Sequence, residues 1–360
     1  MSERRPEQLN RIAIKGFKSI KECDIELKNI NVLIGANGAG KSNFISNFEM
    51  LQKITSRKLA LYAGKKGIAP LLYNGKAVTD SIVAEFYFGS TLYAYELEWT
   101  DNDSFIFREE RVESDGFTWG DGGYGETKLW DAVSIGLVDP IDLPEYGPTV
   151  YQFHDTSSSS RIKSESVIAN NAILMNDARN LAAYLYRVKQ SYPKEYSNII
   201  RAIQLVAPFF DSFVLEPKEL NKEQIILKWR KKGCDDVFNA AQFSDGTLRF
   251  ICLATLLLQP TELQPSTIII DEPELGLHPF AITILAEMVQ KAAVNKQVIL
   301  ATQSVELLDN FEVEDVIVVE NGDENGSEFK RLNEEQLKLW LDNDYSLGDL
   351  WSKNILGGRP

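Results

Sequence analysis

From Ser81 to about Val112 the chain alternates apolar and polar residues, as SIVAEFYFGSTLYAYELEWT and then SFIFREERV. A period of two sends successive side chains to opposite faces, so this stretch predicts antiparallel strands. The opening segment LNRIAIKGFKSIKECDIELKNINVLIG (9–35) reads as short strands separated by turns. Its last piece, NINVLIG, is a continuous apolar run and predicts a buried strand. Residues 43 to 62 then follow a helical pattern. The glycine- and aspartate-rich stretch 114–125 and the proline-containing stretch 139–148 read as loops, and HDTSSSS (154–160) as a mobile one.

Helical periodicity returns at NDARNLAAYLYRVKQ (176–190), where Asn176 or Asp177 is placed to cap the helix N-terminus. It continues through EYSNIIRAIQLVAPFF (195–210), after which SFVLEP and QIILKW predict a strand pair. Beyond Ala240 the order becomes TLRFICLATLLL, STIIID, PFAITILAEMVQKAA and QVILAT. Helix, strand, helix, strand in that order predicts a parallel α/β sheet. The chain after DVIVVE offers GSEFKRL as a last strand and EEQLKLWLDNDYSLGDLW as a closing helix. No internal repeat is evident, and no heptad stretch is long enough for a coiled coil.

Composition narrows the class without changing the architecture. The hydrophobic fraction is 44% and the charged fraction 25%, as in globular proteins. The polar start MSERRPEQLN gives no sign of a signal peptide. The longest apolar run, near FICLATLLL (250–258), falls far short of a membrane span. Three separated cysteines, Cys23, Cys234 and Cys252, form no CxxC pair, so a cytoplasmic protein without structural zinc or disulfides is expected. The net charge of −14 argues against a protein coated with phosphate-binding cations. Local basic faces are still available at Lys53/Arg57/Lys58/Lys65/Lys66, Arg187/Lys189/Lys194 and Lys228/Arg230/Lys231/Lys232.

Three short stretches carry the chemistry. GANGAGKS, Gly35 to Ser42, fits GxxxxGK[ST] between an apolar strand and a helix-compatible segment. Gly35, Gly38 and Gly40 let backbone N–H groups turn toward phosphates, with Ala36, Asn37, Ala39 and Asn43 completing the cradle. Lys41 is suited to the β- and γ-phosphates and Ser42 to Mg²⁺. In TIIIDEPELGLHP (267–279) an apolar strand delivers Asp271 and Glu272 to its C-terminal end. Asp271 is suited to hold Mg²⁺ through water, and Glu272 to orient or deprotonate the attacking water. In FSDGTLRF (243–250), Ser244 can cap a helix beginning near Thr247, beside Asp245 and Gly246, at a second helix N-terminus fit for an anion.

In chain order (glycine loop, then Ser-x-Gly helix start, then apolar strand with Asp-Glu) the three stretches resemble the heads of ABC-type ATPases, in their SMC/RecF/OLD-like branch. More closely, the chain resembles stand-alone AAA_21-like ATPases of bacteria. Their pattern stands here as FHDTS (153–157), SDGTLR (244–249), DEPELGLHP (271–279), ATQS (301–304) and a terminal GGRP (357–360). The resemblance implies an α/β fold: an ABC-type P-loop NTPase head with a mixed β-sheet lobe, a helical insertion and a parallel α/β core. The expected divisions are 1–150, 151–240, 241–330 and a closing 331–360. It also implies ATP and Mg²⁺ as cofactors and an ATP-sandwich homodimer or higher assembly, with Ser244 and Gly246 of one protomer facing the γ-phosphate held by the other. Residues 274–278 would lie between the two sites. Gln303 occupies the switch position where many relatives carry histidine; an amide can bond both a γ-phosphate oxygen and the lytic water, yet cannot titrate. A plainer reading of QVILATQSVELL has Thr302 or Ser304 capping the next helix. Gln152 is the candidate for the transporter-type Q-loop glutamine. His154 suits loop packing, His278 a turn before Pro279, and Lys18 or Ser19 of GFKS a place near the nucleotide by analogy.

These expectations describe a compact head acting as a regulated switch, an ATPase of slow or partner-stimulated turnover. Its setting would be a two-component anti-phage or toxin-like system with a separately encoded effector, for which a Toprim-like nuclease is one candidate. About 40 residues follow DVIVVE, too few to complete a Toprim domain in this chain. Two alternatives stand beside it: a RecF-like DNA repair or replication accessory, and a nucleotide-holding scaffold with negligible turnover. No membrane partner is expected, and direct DNA binding stays open.

Overall fold

A computed structural model describes residues 8–114, 117–134, 147–322 and 326–358. The polar N-terminus, most of the expected 139–148 loop and the last two residues of GGRP lie outside the described residues. The chain divides into two compact units, one of residues 1–150, 265–269 and 297–360, the other of 151–264 and 270–296.

The first unit contains two six-stranded sheets. One has the spatial order Ile20–Glu26, Leu9–Phe17, Ser81–Phe88, Thr91–Trp99, Phe105–Ser114, Phe117–Asp121, with antiparallel pairing throughout. Its inward residues alternate along each strand as the period-two pattern predicts; Ile82, Ala84, Phe86 and Phe88 are all buried. The last strand corrects the reading of 114–125 as a loop. Phe117–Asp121 forms a hairpin on Phe105–Ser114, with Ser114 opposite Phe117. It is an edge strand with four of its five residues exposed, so little alternation betrays it.

The second sheet runs Ser327–Arg331, Val316–Asn321, Ile30–Ile34, Gln297–Thr302, Thr267–Asp271, Thr149–Tyr151. Ile30–Ile34 lies parallel to both Gln297–Thr302 and Val316–Asn321, while Ser327–Arg331 returns antiparallel. Val32, Leu33 and Ile34 are fully buried, as expected of a strand covered on both faces. One buried amide ties this sheet to the chain's start. Gln297 Nε2 donates to the carbonyls of Leu9 (2.8 Å) and Lys28 (2.9 Å), and its Oε1 accepts from the Thr267 hydroxyl (2.8 Å).

Helix Lys41–Thr55 rises directly from the turn after Ile34 and packs through aromatics onto the antiparallel sheet. Phe44 meets Phe48 with ring centroids 5.6 Å apart, Phe48 meets Phe86 at 6.1 Å, and Phe86 meets Tyr95 at 6.2 Å. Such edge and tilted contacts add to the burial of large apolar surface. The helical pattern of 43–62 is broken at Arg57, whose φ of 52° ends one helix before Leu59–Lys66 begins.

The second unit is mainly helical, with helices Leu181–Ser191, Pro193–Val206, Asp245–Leu258 and Pro279–Ala293. The helix expected from Asn176 starts later, because Ala178 takes a left-handed φ of 53° and interrupts the first turn. Asn180 then stands at its start, its side chain turned back to Met175 N (2.9 Å) and the carbonyls of Asn170 and Ile173. Phe210–Val214 pairs antiparallel with Lys228–Lys231, while Gln224–Ile225 pairs instead with Ser166–Val167. The closing segment of the first unit is two helices, Glu334–Leu341 and Leu347–Ser352, rather than one.

Candidate nucleotide site

In the first unit the glycine loop follows the buried strand and opens a fifteen-residue helix, as its sequence predicts. Gly40 occupies the cap position with φ 119°, no side chain caps the helix, and its first turn holds no acidic residue. The first-turn N–H groups of Lys41, Ser42 and Asn43 lie at the positive end of the helix dipole. That arrangement fits an anion such as a nucleotide's phosphates. Lys41, 5% exposed, donates from Nζ to the carbonyls of Gly35 (2.6 Å) and Ala36 (3.1 Å), so its ammonium sits within the loop. Ser42, Asn37 and Gly38 are exposed.

The loop is gripped from behind. A Cβ on Gly35 would lie 2.2 Å from the Val319 carbonyl oxygen, and one on Gly40 would lie 2.0 Å from Ser327 Oγ. Ser19 Oγ shares a hydrogen bond with Ser327 Oγ (2.7 Å) and accepts from Asn43 Nδ2 (2.7 Å). The GFKS turn thus reaches the first turn of the P-loop helix. Lys18, at φ 49°, donates to Ser46 Oγ at 2.5 Å. Burial first, and then the charge of Lys66, lowers its pKa below the ordinary lysine value. Sequence reasoning named neither Ser327 nor Val319. Both lie about 280 residues or more beyond the loop, and nothing local marks them.

Gln303 follows the strand Gln297–Thr302, and its Nε2 donates to Asn37 Oδ1 at 2.7 Å. The capping role belongs to its neighbour: Ser304 Oγ accepts from Leu307 N (3.0 Å) at the start of Val305–Leu308. The plainer reading of this strand end thus holds for Ser304, while the Gln303 amide lies against Asn37. Gln303→Ala removes an amide held against the loop, and turnover is expected to fall roughly tenfold or more with ATP affinity changed far less. Steady-state phosphate release and nucleotide titration together check that split.

In the second unit Ser244 caps Asp245–Leu258, its Oγ accepting from Thr247 N at 3.2 Å. Ser244 and Asp245 are exposed, and Gly246 is half-buried. A Cβ on Gly246 would fall 2.2 Å from the Gly276 carbonyl oxygen, so only glycine allows this approach. Arg249 joins three of the motifs: Nη1 donates to Leu275 O (2.8 Å) and Nη2 to His154 O (2.9 Å). The single signal for it in the sequence is the arginine of SDGTLR. His154 acts here through its carbonyl. Gln152 is exposed, with its N–H on Asn176 O (2.9 Å).

Asp271 ends the strand Thr267–Asp271 and is half-buried, and Glu272 follows at φ 45°. A non-glycine residue in that region costs on the order of 1–2 kcal/mol and is held only where its surroundings require it. The turn continues with Leu275 N on Glu272 O (3.2 Å) and Leu277 N on Glu274 O (2.9 Å). His278 then caps Pro279–Ala293, its Nδ1 accepting from Phe280 N at 3.4 Å. Leu275 and Phe280 are 43% and 52% exposed, so this turn presents apolar surface. No group of three histidine, cysteine, aspartate or glutamate side chains able to hold a metal occurs among the described residues. No helix there is long and apolar enough to cross a membrane.

The order of the strands gives this chain an α/β fold that resembles the head architecture of SMC-type NTPases. The chain is similar to an SMC head crystallised with the C-terminal winged-helix domain of ScpA, with TM-score 0.61 and 16% identity over 91% of this chain and 99% of that one. It is likewise similar to an SMC head with an extended coiled coil, bound to the C-terminal domain of ScpA and derived from Pyrococcus furiosus. There the TM-score is 0.62 and the identity 16%, over 94% of this chain and 99% of that one. At such identity these likenesses establish the fold. Residues 30–309 match the AAA_21 family model, described as AAA domain, putative AbiEii toxin, Type IV TA system, and the chain belongs to that family. Membership of that AAA-domain family implies ATP-hydrolysing activity. No curated protein matches the chain.

Proposed function

We propose that this protein binds and hydrolyses ATP with Mg²⁺, dimerises around the nucleotide, and acts as a regulated switch. The carrying observation is the glycine loop at an uncapped helix N-terminus, with the Lys41 ammonium seated within it and the Gln303 amide bonded to Asn37. Backbone N–H groups of the loop and Lys41 would take the phosphates. Ser42 and Asp271 would hold Mg²⁺, which supplies charge neutralisation at the β- and γ-oxygens. Glu272 would take the proton of the attacking water, and Gln303 would orient that water without titrating.

Ser244, Asp245 and Gly246 would contact the nucleotide of a second copy. The exposure of this helix start and of Leu275 and Phe280 supports that reading. The family's description as a putative toxin of a toxin–antitoxin system supports a paired partner protein. We take that partner to be a separately encoded effector, for which a Toprim-like nuclease is one form, in an anti-phage or toxin-like system. A second reading, a RecF-like accessory of DNA repair, draws on one feature of the second unit. Lys189, Arg201 and Arg230 line a cavity of about 500 Å³, bringing together cations from separate segments of an acidic chain.

The test is phosphate release against protein concentration, with and without duplex DNA. Turnover rising faster than linearly supports the sandwich dimer, and a further rise with DNA favours the second reading. Gly246→Ala forces the Gly276 carbonyl away. It is expected to retain ATP affinity and lose the concentration dependence, with turnover down about tenfold or more. A variant that still dimerises on ATP at wild-type rates removes Gly246 from the proposed seam.

A further inference from the structure

The glycines of the GGRP motif stay outside the roles assigned above, yet in the first unit Gly358 lies against the first residue of the P-loop. Gly357 and Gly358 have φ values of 82° and 59°, a region that side chains rarely adopt. A Cβ on Gly357 would fall 2.7 Å from Glu320 Oε1. One on Gly358 would fall 2.8 Å from Val318 Cγ1 and 3.3 Å from both the Gly35 Cα and the Val319 carbonyl oxygen. Two further groups fix this segment. Gly358 N donates to Glu320 Oε1 (2.7 Å), and the indole N–H of Trp351 donates to Gly358 O (2.7 Å). Trp351 itself is fully buried.

We propose that this C-terminal segment is a positioning element of the nucleotide loop. Gly35 is enclosed between the Val319 carbonyl and Gly358, so the loop's first residue has little room to move while the tail is seated. Glu320 and Trp351 hold the tail through opposite ends of one residue, an acceptor for its N–H and a donor for its carbonyl. Both glycines are then required by contact as well as by backbone: a methyl at 358 presses on the loop and one at 357 on the Glu320 carboxylate. Releasing the tail frees Gly35 and loosens the cradle around the phosphates. This role of the tail rests on the ATP reading above.

The experiment compares wild type with a chain ending at Leu356, with Gly358→Ala, and with Glu320→Ala and Glu320→Gln. Amide hydrogen exchange is followed at residues 36–41 without nucleotide, and affinity for ATP with magnesium is titrated separately. In the shortened chain, Gly358→Ala and Glu320→Ala, exchange at 36–41 is expected to quicken about tenfold while the strand Thr91–Trp99 keeps its protection. ATP affinity is expected to weaken tenfold or more. Glu320→Gln retains an oxygen acceptor for Gly358 N and should stay near wild type in both readouts. Unchanged exchange at 36–41 in the shortened chain overturns the inference, as does quickened exchange with wild-type affinity. If wild type itself fails to bind ATP while the shortened chain exchanges faster at 36–41, the ATP reading falls and the tail's hold on the loop stands.

Discussion

Glu272→Gln is expected to bind ATP as tightly as wild type while releasing phosphate about 10²- to 10⁴-fold more slowly. The amide matches the carboxylate in size and can still bond a water, but it cannot accept that water's proton. Nor does the exchange touch the backbone, whose φ of 45° belongs to the turn and not to the side chain's charge. Single-turnover phosphate release beside nucleotide titration separates the two effects. Wild-type turnover in this variant would move the base to another residue. Glu272→Gly gives the complementary result: turnover lost, with stability unchanged or raised by up to about 1 kcal/mol, because glycine relieves the left-handed strain.

The largest stability effect is expected away from the nucleotide loop, at Glu110 in the antiparallel sheet. This carboxyl group is fully buried and serves four donors. Its Oε1 accepts from the Tyr93 hydroxyl (2.8 Å) and from the Thr127 hydroxyl, its Oε2 from the Tyr124 hydroxyl (3.0 Å) and Lys128 N (3.0 Å). Burial first, and then the charge of Glu110, raises the pKa of both tyrosines, so they remain donors into the alkaline range. Glu110→Ala leaves these donors without an acceptor inside the protein. The expected loss is about 3–5 kcal/mol, since each stranded buried donor costs about 1–3 kcal/mol and the costs overlap. The melting transition of the first unit should fall by roughly 10 °C. Glu110→Gln, which turns one acceptor into a donor, should fall between. A melt unchanged by Glu110→Ala would mean that water reaches these groups.

What the sequence disclosed follows the range of the interactions involved. The loop, its helix and the Ser244 cap are local: each is decided by residues within about ten positions, and spacing alone foretells them. The parallel core was legible for a similar reason, since a fully apolar run such as Val32–Ile34 has few other places to go. The grip on the loop was not. Ser327 and Gly358 act on Gly40 and Gly35 from the far end of the chain, and a serine or a glycine pair carries no pattern that announces such a partner. Arg249 was passed over because its work is done on carbonyl oxygens, to which any sequence is blind. Phe117–Asp121 escaped because an exposed edge strand has no buried face to impose alternation.

The pairing of Ser19 with Ser327, 308 positions apart, bears on how the protein is made. The strand Ile30–Ile34 leaves the ribosome about 260 residues or more ahead of both its sheet neighbours, Gln297–Thr302 and Val316–Asn321. At synthesis rates of about 5–20 residues per second, this apolar strand waits roughly 15–60 s for its partners. During that interval its unpaired edges are open to wrong pairing and to chaperones. A nascent chain interrupted before residue 297 would carry the whole glycine motif and still lack both strands that flank it. Such a fragment holds the motif without the sheet that positions it.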